Sequence, residues 1–177
     1  MDTTKHNIKV HITEEEINER IAQIGAEITE RFKGESVILV CILKGSIFFT
    51  TELAKRIELP MNIEFMSVSS YGAATKSSGV VNIKKDLDVS IEGENVILIE
   101  DIIDSGNTLS KLISLLGTRK PKSLTVCTLL DKPQRREVAD VHVDYTGFVI
   151  PDKFVVGYGL DYAQKYRNLP YIGVIEE

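Results

Sequence analysis

An apolar run followed by acidic residues and then by small polar residues constrains this 177-residue chain more than any other feature. The run from Val96 to Ile99 shows no polar alternation, which predicts a strand buried on both faces. Glu100 and Asp101 end this strand, and a third acid follows at Asp104. The small residues Ser105 to Thr108 can turn their backbone N–H groups inward and begin a helix. Apolar side chains then continue at helical spacing, at Leu109, Leu112, Ile113 and Leu116.

The acids and the small polar residues of this segment fit one kind of ligand together. The N-terminus of a helix attracts anions, whereas carboxylates repel them. A ligand with a phosphate at one end, and with hydroxyl groups and a metal ion at the other, satisfies both. The alternative is an ordinary polar loop with a capping Thr residue, but such loops seldom carry three acids.

The segment from Val96 to Thr108 resembles the phosphoribosyl diphosphate motif of the type I phosphoribosyltransferases. In that motif, two acids, two hydrophobic residues and a third acid follow the apolar strand, and then come Thr or Ser, Gly, any residue, and Thr or Ser. The resemblance implies that Glu100 and Asp101 hold the ribose hydroxyls and metal-bound water. Asp104 would be the catalytic residue, a general base or acceptor at N7 of a purine, within the phosphoribosyl diphosphate site. The 5-phosphate would be held by Ser105, Gly106, Asn107 and Thr108.

Four further segments extend the resemblance to the 6-oxopurine branch, the hypoxanthine-guanine phosphoribosyltransferases. Lys44 and Gly45 follow an apolar strand, which fits a backbone anion site or an ordinary turn. They resemble the family's pyrophosphate loop, in which a cis peptide precedes the glycine. Arg167 resembles the arginine that contacts pyrophosphate, a suitable use of a planar guanidinium. Ser70 and Tyr71 resemble the start of the mobile catalytic loop, although the residues alone support only a long polar loop.

The purine-binding residues are implied by two segments in the second half of the chain. Lys132 follows an apolar strand and resembles the lysine that donates to the exocyclic oxygen; an ammonium has only donors, so it suits a 6-oxo group. Phe154 resembles the ring that stacks on the purine, and the Val155 backbone would read the purine edge. Asp161 resembles a ligand of Mg²⁺, which Glu100 and Asp101 would also hold.

The alternation of strands and helices predicts an α/β fold with a mainly parallel central sheet flanked by helices. Thr13 caps a helix that runs to about Arg31, with Glu16 completing a capping box. We expect the loop at Lys44, the 100–108 loop and the turn at Lys132 to converge on one edge of the sheet, because ligands collect at the carboxyl ends of strands. The other predicted elements are a helix from about Ile47 to Ile57 and strands Val37–Leu43, Asn62–Ser69, Val80–Ile83, Ser123–Leu130, Val143–Ile150, Phe154–Val156 and Tyr171–Ile175.

The length suits one domain over residues 1–177, and the resemblance implies the type I phosphoribosyltransferase fold with a small hood from the N-terminal segment and the region after about Val141. The net charge of −5 argues against a nucleic-acid partner. The longest apolar run is too short to cross a membrane, so we expect a cytoplasmic protein. Cys41 and Cys127 lie in apolar runs and are interpreted as buried thiols. Arg135 and Arg136 are expected in a solvated turn.

The resemblance implies transfer of the 5-phosphoribosyl group from phosphoribosyl diphosphate to N9 of hypoxanthine, and of guanine. The products would be IMP or GMP and pyrophosphate, with Mg²⁺ as cofactor, in a homo-oligomer that is a dimer or a tetramer. A preference for xanthine or guanine is one alternative. The other is a regulator that binds phosphoribosyl diphosphate and then nucleic acid, which needs a basic face or an added domain.

Overall fold

The structure is a computed structural model that describes residues 6–69, 82–138 and 141–176. Its helices and strands account for most of these residues. In chain order they are β1 (Asn7–Ile12), α1 (Glu14–Arg31), β2 (Val37–Leu43), α2 (Ile47–Ala54), β3 (Met61–Ser69), β4 (Asn82–Lys85), β5 (Asn95–Ile103), α3 (Asn107–Gly117), β6 (Ser123–Asp131), a 3₁₀ turn (Pro133–Arg135), β7 (Tyr145–Val149), β8 (Val155–Val156) and β9 (Ile172–Glu176).

The large sheet has the strand order β4-β3-β2-β5-β6-β7 and confirms the predicted α/β class. All its neighbouring strands run parallel except the pair of β3 and β4. Since β2, β5 and β6 are parallel neighbours, their carboxyl ends lie at one edge of the sheet. The loops that follow them therefore lie side by side.

The apolar strands are covered on both faces, which explains their unbroken hydrophobic sequences. On one face, Leu39 and Ile97 pack in a core with α1 and α2. On the other face, Val40 and Leu98 pack in a second core with α3. Successive side chains of a strand point to opposite faces, so one apolar run serves both cores. Both cysteines are free and buried, as expected, and burial raises the pKa of the Cys41 thiol.

A second, small sheet joins the two ends of the chain in the order β1-β9-β8, with antiparallel pairs throughout. The hood was assigned to these same segments, and that assignment stays a prediction. Sequence analysis missed β1. Its signal was the period-two alternation of Ile8, Val10 and Ile12, which a strand requires.

Several predicted boundaries were wrong. Helix α2 ends at Ala54 rather than Ile57, because the Arg56 N–H donates to Leu53 O at 2.9 Å and closes a tighter turn. Strand β5 continues to Ile103, because Ile102 and Ile103 pair with β6.

The ends of other strands also differ from their predicted positions. The return strand is β4 and runs to Lys85, which pairs with Ser67; Val80 and Val81 lie outside the described residues. Strand β7 spans only Tyr145–Val149, and the Asp144 carboxylate before it accepts a hydrogen bond from Val126 N. Phe154 precedes β8 and Tyr171 precedes β9.

Helix α1 begins as predicted. The Thr13 hydroxyl accepts a hydrogen bond from Glu16 N at 3.3 Å, and the Glu16 carboxylate accepts one from Thr13 N at 2.8 Å. In the described part of the chain, no helix combines the length and the apolar character needed to span a membrane.

Candidate active site

Three loops meet at the carboxyl edge of the large sheet, as the sequence predicted. They follow β2, β5 and β6, which are parallel neighbours. The Lys132 N–H donates to Ile103 O at 3.0 Å, which joins the turn after β6 directly to the end of β5. Candidate residues from distant parts of the sequence therefore surround one region.

The two adjacent acids of β5 lie inside the strand, and they point to different neighbours because side chains alternate along a strand. Glu100 is 8% exposed and lines a cavity of about 110 Å³. The Asp101 carboxylate lies against Gly45, where a Cβ atom would overlap it. The paired acids are thus shared between the cavity and the loop after β2.

Desolvation raises the pKa of both acids. Desolvation, with the neighbouring Asp101 carboxylate as a second cause, raises the pKa of Glu100 well above its usual range. Desolvation also raises the pKa of Asp101 to about 6. Among the ion pairs of the described residues, neither carboxylate has a Lys or Arg partner. A cation supplied from outside the chain would favour the charged form of both.

A divalent cation fits these acids only together with a ligand. Among the residues that the structure describes, no three His, Cys, Asp or Glu side chains are grouped closely enough to hold a metal ion. Mg²⁺ commonly uses one or two carboxylates, substrate phosphates and water. Glu100 and Asp101 suit that arrangement, since the first is buried, the second is partly buried and neither forms an ion pair with Lys or Arg among the described residues. The oxygens of Asp161, the third predicted ligand, contact Arg167 and the Gln164 N–H.

The loop between β5 and α3 forms the rest of the small cavity. Gly106 is the N-cap of α3 and has φ +84°, a left-handed conformation that glycine adopts without strain. Asn107 N donates to the Ser105 hydroxyl at 3.3 Å, and the Asn107 side chain donates to Glu137 at 2.6 Å. The cavity is lined by Glu100, Ile102, Ile103, Asp104, Ser105, Gly106, Thr108 and Leu109. Its position at a helix N-terminus favours an anion of phosphate size.

The loop after β2 is packed tightly against two other elements. The peptide between Leu43 and Lys44 is cis. Gly45 lies between the Asp101 carboxylate and Gly159, since a Cβ atom on Gly159 would overlap Gly45 O. Gly159 also has φ +99°, so glycine is required there for conformation as well as for space. The close approach leaves the backbone of this loop beside the acids.

Gln164 is a residue of the site that sequence analysis missed. Its side-chain oxygen accepts hydrogen bonds from Lys44 Nζ and from Arg167 Nη2, both at 3.3 Å. Arg167 also donates to Gly159 O at 2.6 Å and pairs with Asp161 at 2.7 Å. These contacts hold Lys44 and Arg167 in one network. A neutral side chain in a loop carries no pattern that would have indicated this role.

Asp104 lies at the meeting point of the 100–108 loop and the turn after β6. Its Oδ1 atom is 2.8 Å from Arg135 Nε, and Arg135 Nη1 is 3.4 Å from Asp152 Oδ1. Arg135 is exposed, as expected of a solvated turn, whereas the expectation was wrong for Arg136. Arg136 is partly buried and pairs with Asp131. Arg135 reaches Asp104 because the turn folds back over the loop after β5, whereas Arg136 contacts the last residue of β6.

Lys132 is buried although it lies in a turn. Only 6% of the residue is exposed, and its ammonium lies 4.0 Å from Asp152 Oδ1. The bond from its N–H to Ile103 O draws the residue into the gap between β5 and β6. Its long side chain is therefore held in place within the protein.

The predicted base-stacking residue presents an open ring. Phe154 is 54% exposed, and its ring packs at a right angle to the ring of Tyr162 with a centroid distance of 5.6 Å. Tyr162 in turn contacts His6 at 4.9 Å, so an aromatic group supports one side of Phe154. Sequence analysis did not identify this support. The other face of Phe154 has the flat apolar character that suits a base.

The backbone of Val155 is directed toward the open edge of the small sheet. Phe154 O accepts from Ile175 N at 3.4 Å and so points toward β9. Because the C=O and N–H groups of a trans peptide point in opposite directions, the Val155 N–H points away from β9. Ser70 and Tyr71, the residues predicted to begin the catalytic loop, lie outside the described residues.

A parallel sheet with an acidic strand end, a phosphate-sized cavity and a glycine-lined loop defines a class of transferase. The chain belongs to the phosphoribosyl transferase domain family, whose model matches residues 11–163.

The similar proteins narrow this class to hypoxanthine phosphoribosyltransferases. Those of Salmonella typhimurium and Escherichia coli K12 are 54% and 53% identical over 173 residues, which is 97% of this chain and 97% of each relative. A solved hypoxanthine-guanine phosphoribosyltransferase from Bacillus anthracis aligns with a TM-score of 0.91 at 47% identity, covering 96% of this chain and all of that one. The hypoxanthine phosphoribosyltransferase of Staphylococcus aureus gives 0.90 at 50% identity, over 95% of this chain and 91% of its own.

Proposed function

We propose that this chain transfers the 5-phosphoribosyl group from phosphoribosyl diphosphate to N9 of hypoxanthine, and also of guanine. The products are IMP or GMP and pyrophosphate. One observation carries the proposal: three features lie at the carboxyl ends of adjacent parallel strands, namely the cavity beside Glu100, the Gly45 loop against Asp101 and the turn of Lys132, which is bonded to Ile103. Phosphoribosyl diphosphate needs one region for its 5-phosphate and another for its pyrophosphate. The purine needs a third region beside them, at the turn of Lys132.

The reaction exchanges one bond at C1 of the ribose for another. The lone pair of purine N9 forms the new bond to C1, and the bond from C1 to pyrophosphate breaks with its electron pair leaving on the oxygen. The ribose gains positive charge on the way, as in glycoside transfer. The buried carboxylates of Glu100 and Asp101 stabilise this charge and accept hydrogen bonds from the ribose hydroxyls.

The proton on purine N7 moves to Asp104 or is shared with it while the N9 bond forms. Asp104 suits this task because its side chain is about half exposed at the edge of the cavity. The backbone N–H groups at the start of α3, with Ser105 and Thr108, hold the 5-phosphate. Lys44, Gly45 and Arg167 bind the pyrophosphate end.

Mg²⁺ is the proposed cofactor, with Glu100, Asp101 and Asp161 as the residues that hold it directly or through water. When bound, the ion neutralises negative charge on the departing pyrophosphate. Three observations support this assignment: Glu100 is buried, desolvation raises the pKa of Asp101, and neither acid forms an ion pair with Lys or Arg among the described residues.

The choice of base rests on Lys132, Phe154 and Val155. The Lys132 ammonium donates to the 6-oxo group and has no acceptor to offer the 6-amino group of adenine. The exposed ring of Phe154 stacks on the purine, and the outward N–H of Val155 binds its edge. We further propose a cytoplasmic homo-oligomer, a dimer or a tetramer, that acts on these small molecules without nucleic acid or membrane.

An assay of the purified chain tests the function. Hypoxanthine, guanine, xanthine and adenine are each supplied with phosphoribosyl diphosphate and Mg²⁺, and the nucleotide and pyrophosphate are measured. We expect turnover with hypoxanthine and guanine, none with adenine, and loss of activity when the divalent cation is chelated, with recovery when it is restored. Turnover of adenine, or full activity after chelation, would contradict the roles given to Lys132 and to the acids.

A further inference from the structure

Backbone hydrogen bonds join the turn after β6 to the end of β5 and to the loop that follows it. Lys132 N donates to Ile103 O at 3.0 Å, while Glu137 N and Val138 N both donate to Ser105 O, at 2.9 and 3.3 Å. The Asn107 side chain adds a bond of 2.6 Å to Glu137. The segment 132–138 is therefore fixed relative to Asp104 at both of its ends.

Arg135 lies in the middle of this fixed segment and contacts two carboxylates from different loops. Its Nε atom is 2.8 Å from Asp104 Oδ1, and its Nη1 atom is 3.4 Å from Asp152 Oδ1. Asp152 belongs to the loop that carries Phe154 and is the nearest acid to the Lys132 ammonium. The Arg135 guanidinium thus links the loop of Asp104 to the loop of Asp152 and Phe154.

The two oxygens of Asp104 are left in different environments. Solvent does not reach Oδ1, and this atom accepts no hydrogen bond. Its contact with Arg135 Nε is an ion pair, because the N–H of Arg135 is not aligned with it. The side chain as a whole is nevertheless 48% exposed, so this exposure comes from atoms other than Oδ1. Asp104 also lines the cavity at the start of α3. One oxygen is therefore held by a positive charge, while Oδ2 takes no part in that contact.

We infer that Arg135 is a positioning residue for the transfer reaction. It holds Asp104 Oδ1 so that Oδ2 meets the proton on purine N7, and it keeps the acidic loop in register with the loop of Asp152 and Phe154. This inference rests on the proposed role of Asp104. Arg135 itself touches neither the ribose nor the leaving group in this scheme, and it acts through the two carboxylates.

A double-mutant cycle between Arg135 and Asp104 tests the inference. We expect Arg135→Ala to lower kcat/KM for hypoxanthine about fivefold, which corresponds to the upper range for a half-exposed ion pair. The KM for phosphoribosyl diphosphate should stay the same, because the contacts of that substrate lie elsewhere. Arg135→Lys, which keeps one charged contact, should recover most of the loss. In an Asp104→Asn background, Arg135→Ala should change kcat/KM by less than about twofold, since the two residues act as one unit.

The matched control is Arg119→Ala. Arg119 forms a comparable partly exposed ion pair with Asp86, at 2.8 Å, on a different part of the surface. Both alanine variants should melt at similar temperatures, and only the Arg135 variant should lose purine turnover.

Four outcomes would overturn the inference, and they can be told apart. A rise in kcat/KM for Arg135→Ala would mean that the contact between Arg135 and Asp104 must break before the purine binds. Fully additive effects with Asp104→Asn would show that Arg135 acts independently of Asp104. Near-native activity of Asp104→Asn would contradict the proposed role of Asp104 and, with it, the positioning role of Arg135. A loss of activity in Asp104→Asn with none in Arg135→Ala would contradict the positioning role alone.

Discussion

The acidic segment (residues 96–109) and the purine-side segments (residues 131–138 and 151–167) take part in the same candidate site but are built differently. In the acidic segment, strand, loop and helix follow one another, and each candidate residue owes its position to its neighbours in sequence. In the purine-side segments, the candidate residues are held by partners far away in the chain: Lys132 by Ile103, and Arg135 by Asp104. The first kind of region can be interpreted from a short motif, whereas the second needs the assembled protein.

The difference also appears in the backbone. The acidic segment needs one left-handed residue, Gly106, at the start of α3. In the purine-side loop, left-handed conformations occur at two glycines and also at Tyr158, Ala163, Gln164 and Tyr166. Side chains other than glycine rarely adopt this conformation without support from their surroundings. The purine-side loop is therefore shaped by its tertiary contacts to a greater degree.

The largest effect should come from the acidic segment, at Asp104. If Asp104 takes or shares the N7 proton, Asp104→Asn should lower kcat by about 10²–10⁴, the range for a positioned acid–base group. The KM for phosphoribosyl diphosphate should change little. The melting temperature should stay close to that of the original protein, because the amide is nearly isosteric and a half-exposed ion pair contributes little stability.

Asp152→Asn is the matched variant from the purine-side segments. Asp152 shares Arg135 with Asp104 but has no proposed role with the proton. Its effect on kcat should be much smaller. Equal losses in the two variants would mean that Asp104 shapes the loop rather than accepting the proton.

An intermediate effect is expected at Lys132, where burial changes the design of the experiment. Lys132→Met keeps most of the buried apolar stem and removes the ammonium. It should lower kcat/KM for hypoxanthine and guanine about 10–100-fold, the value of a hydrogen bond to a charged group. Lys132→Ala should show the same kinetic loss together with a loss of stability of roughly 2 kcal/mol, because it also leaves a cavity.

Steady-state kinetics and thermal melts of the two Lys132 variants separate these terms. If Lys132→Met turned over hypoxanthine as efficiently as the original protein, the ammonium would have no part in binding the 6-oxo group.

The smallest effect should come from Gln164, whose side chain is neutral and whose hydrogen bonds are exposed to solvent. Gln164→Ala removes the hydrogen bonds to Lys44 and Arg167, and it should raise the KM for phosphoribosyl diphosphate by about two- to fivefold. The kinetic constants for hypoxanthine at saturating phosphoribosyl diphosphate should not change. Gln23→Ala is the control, since Gln23 makes a similar bond to Arg20 at 3.0 Å on helix α1. A defect of Gln164→Ala that affected only the purine would show that this network does not serve phosphoribosyl diphosphate.

Sequence analysis succeeded where local periodicity decides the structure. The capped start of α1, the buried strand at Val96 to Ile99 and the two buried thiols all follow from residue pattern and burial. Phosphate-site candidates could be named for the same reason, because a strand end and a helix N-terminus are adjacent in the chain. The exact strand ends were less predictable: Ile102 and Ile103 belong to β5 because they pair with β6, and no pattern within the segment contains that partner.

By itself, the sequence determined the α/β class, the succession of buried strands along the chain and the identity of the acidic segment. These features depend on near neighbours, through hydrogen bonds within helices and the direction of side chains along strands. Only the tertiary structure decided that Glu100 and Asp101 serve different sides of the site, that Lys132 is buried and that Arg135 pairs with Asp104. These arrangements depend on charge and burial between residues that the chain brings together from separate loops. A polar side chain in a loop has no preferred partner until the fold supplies one.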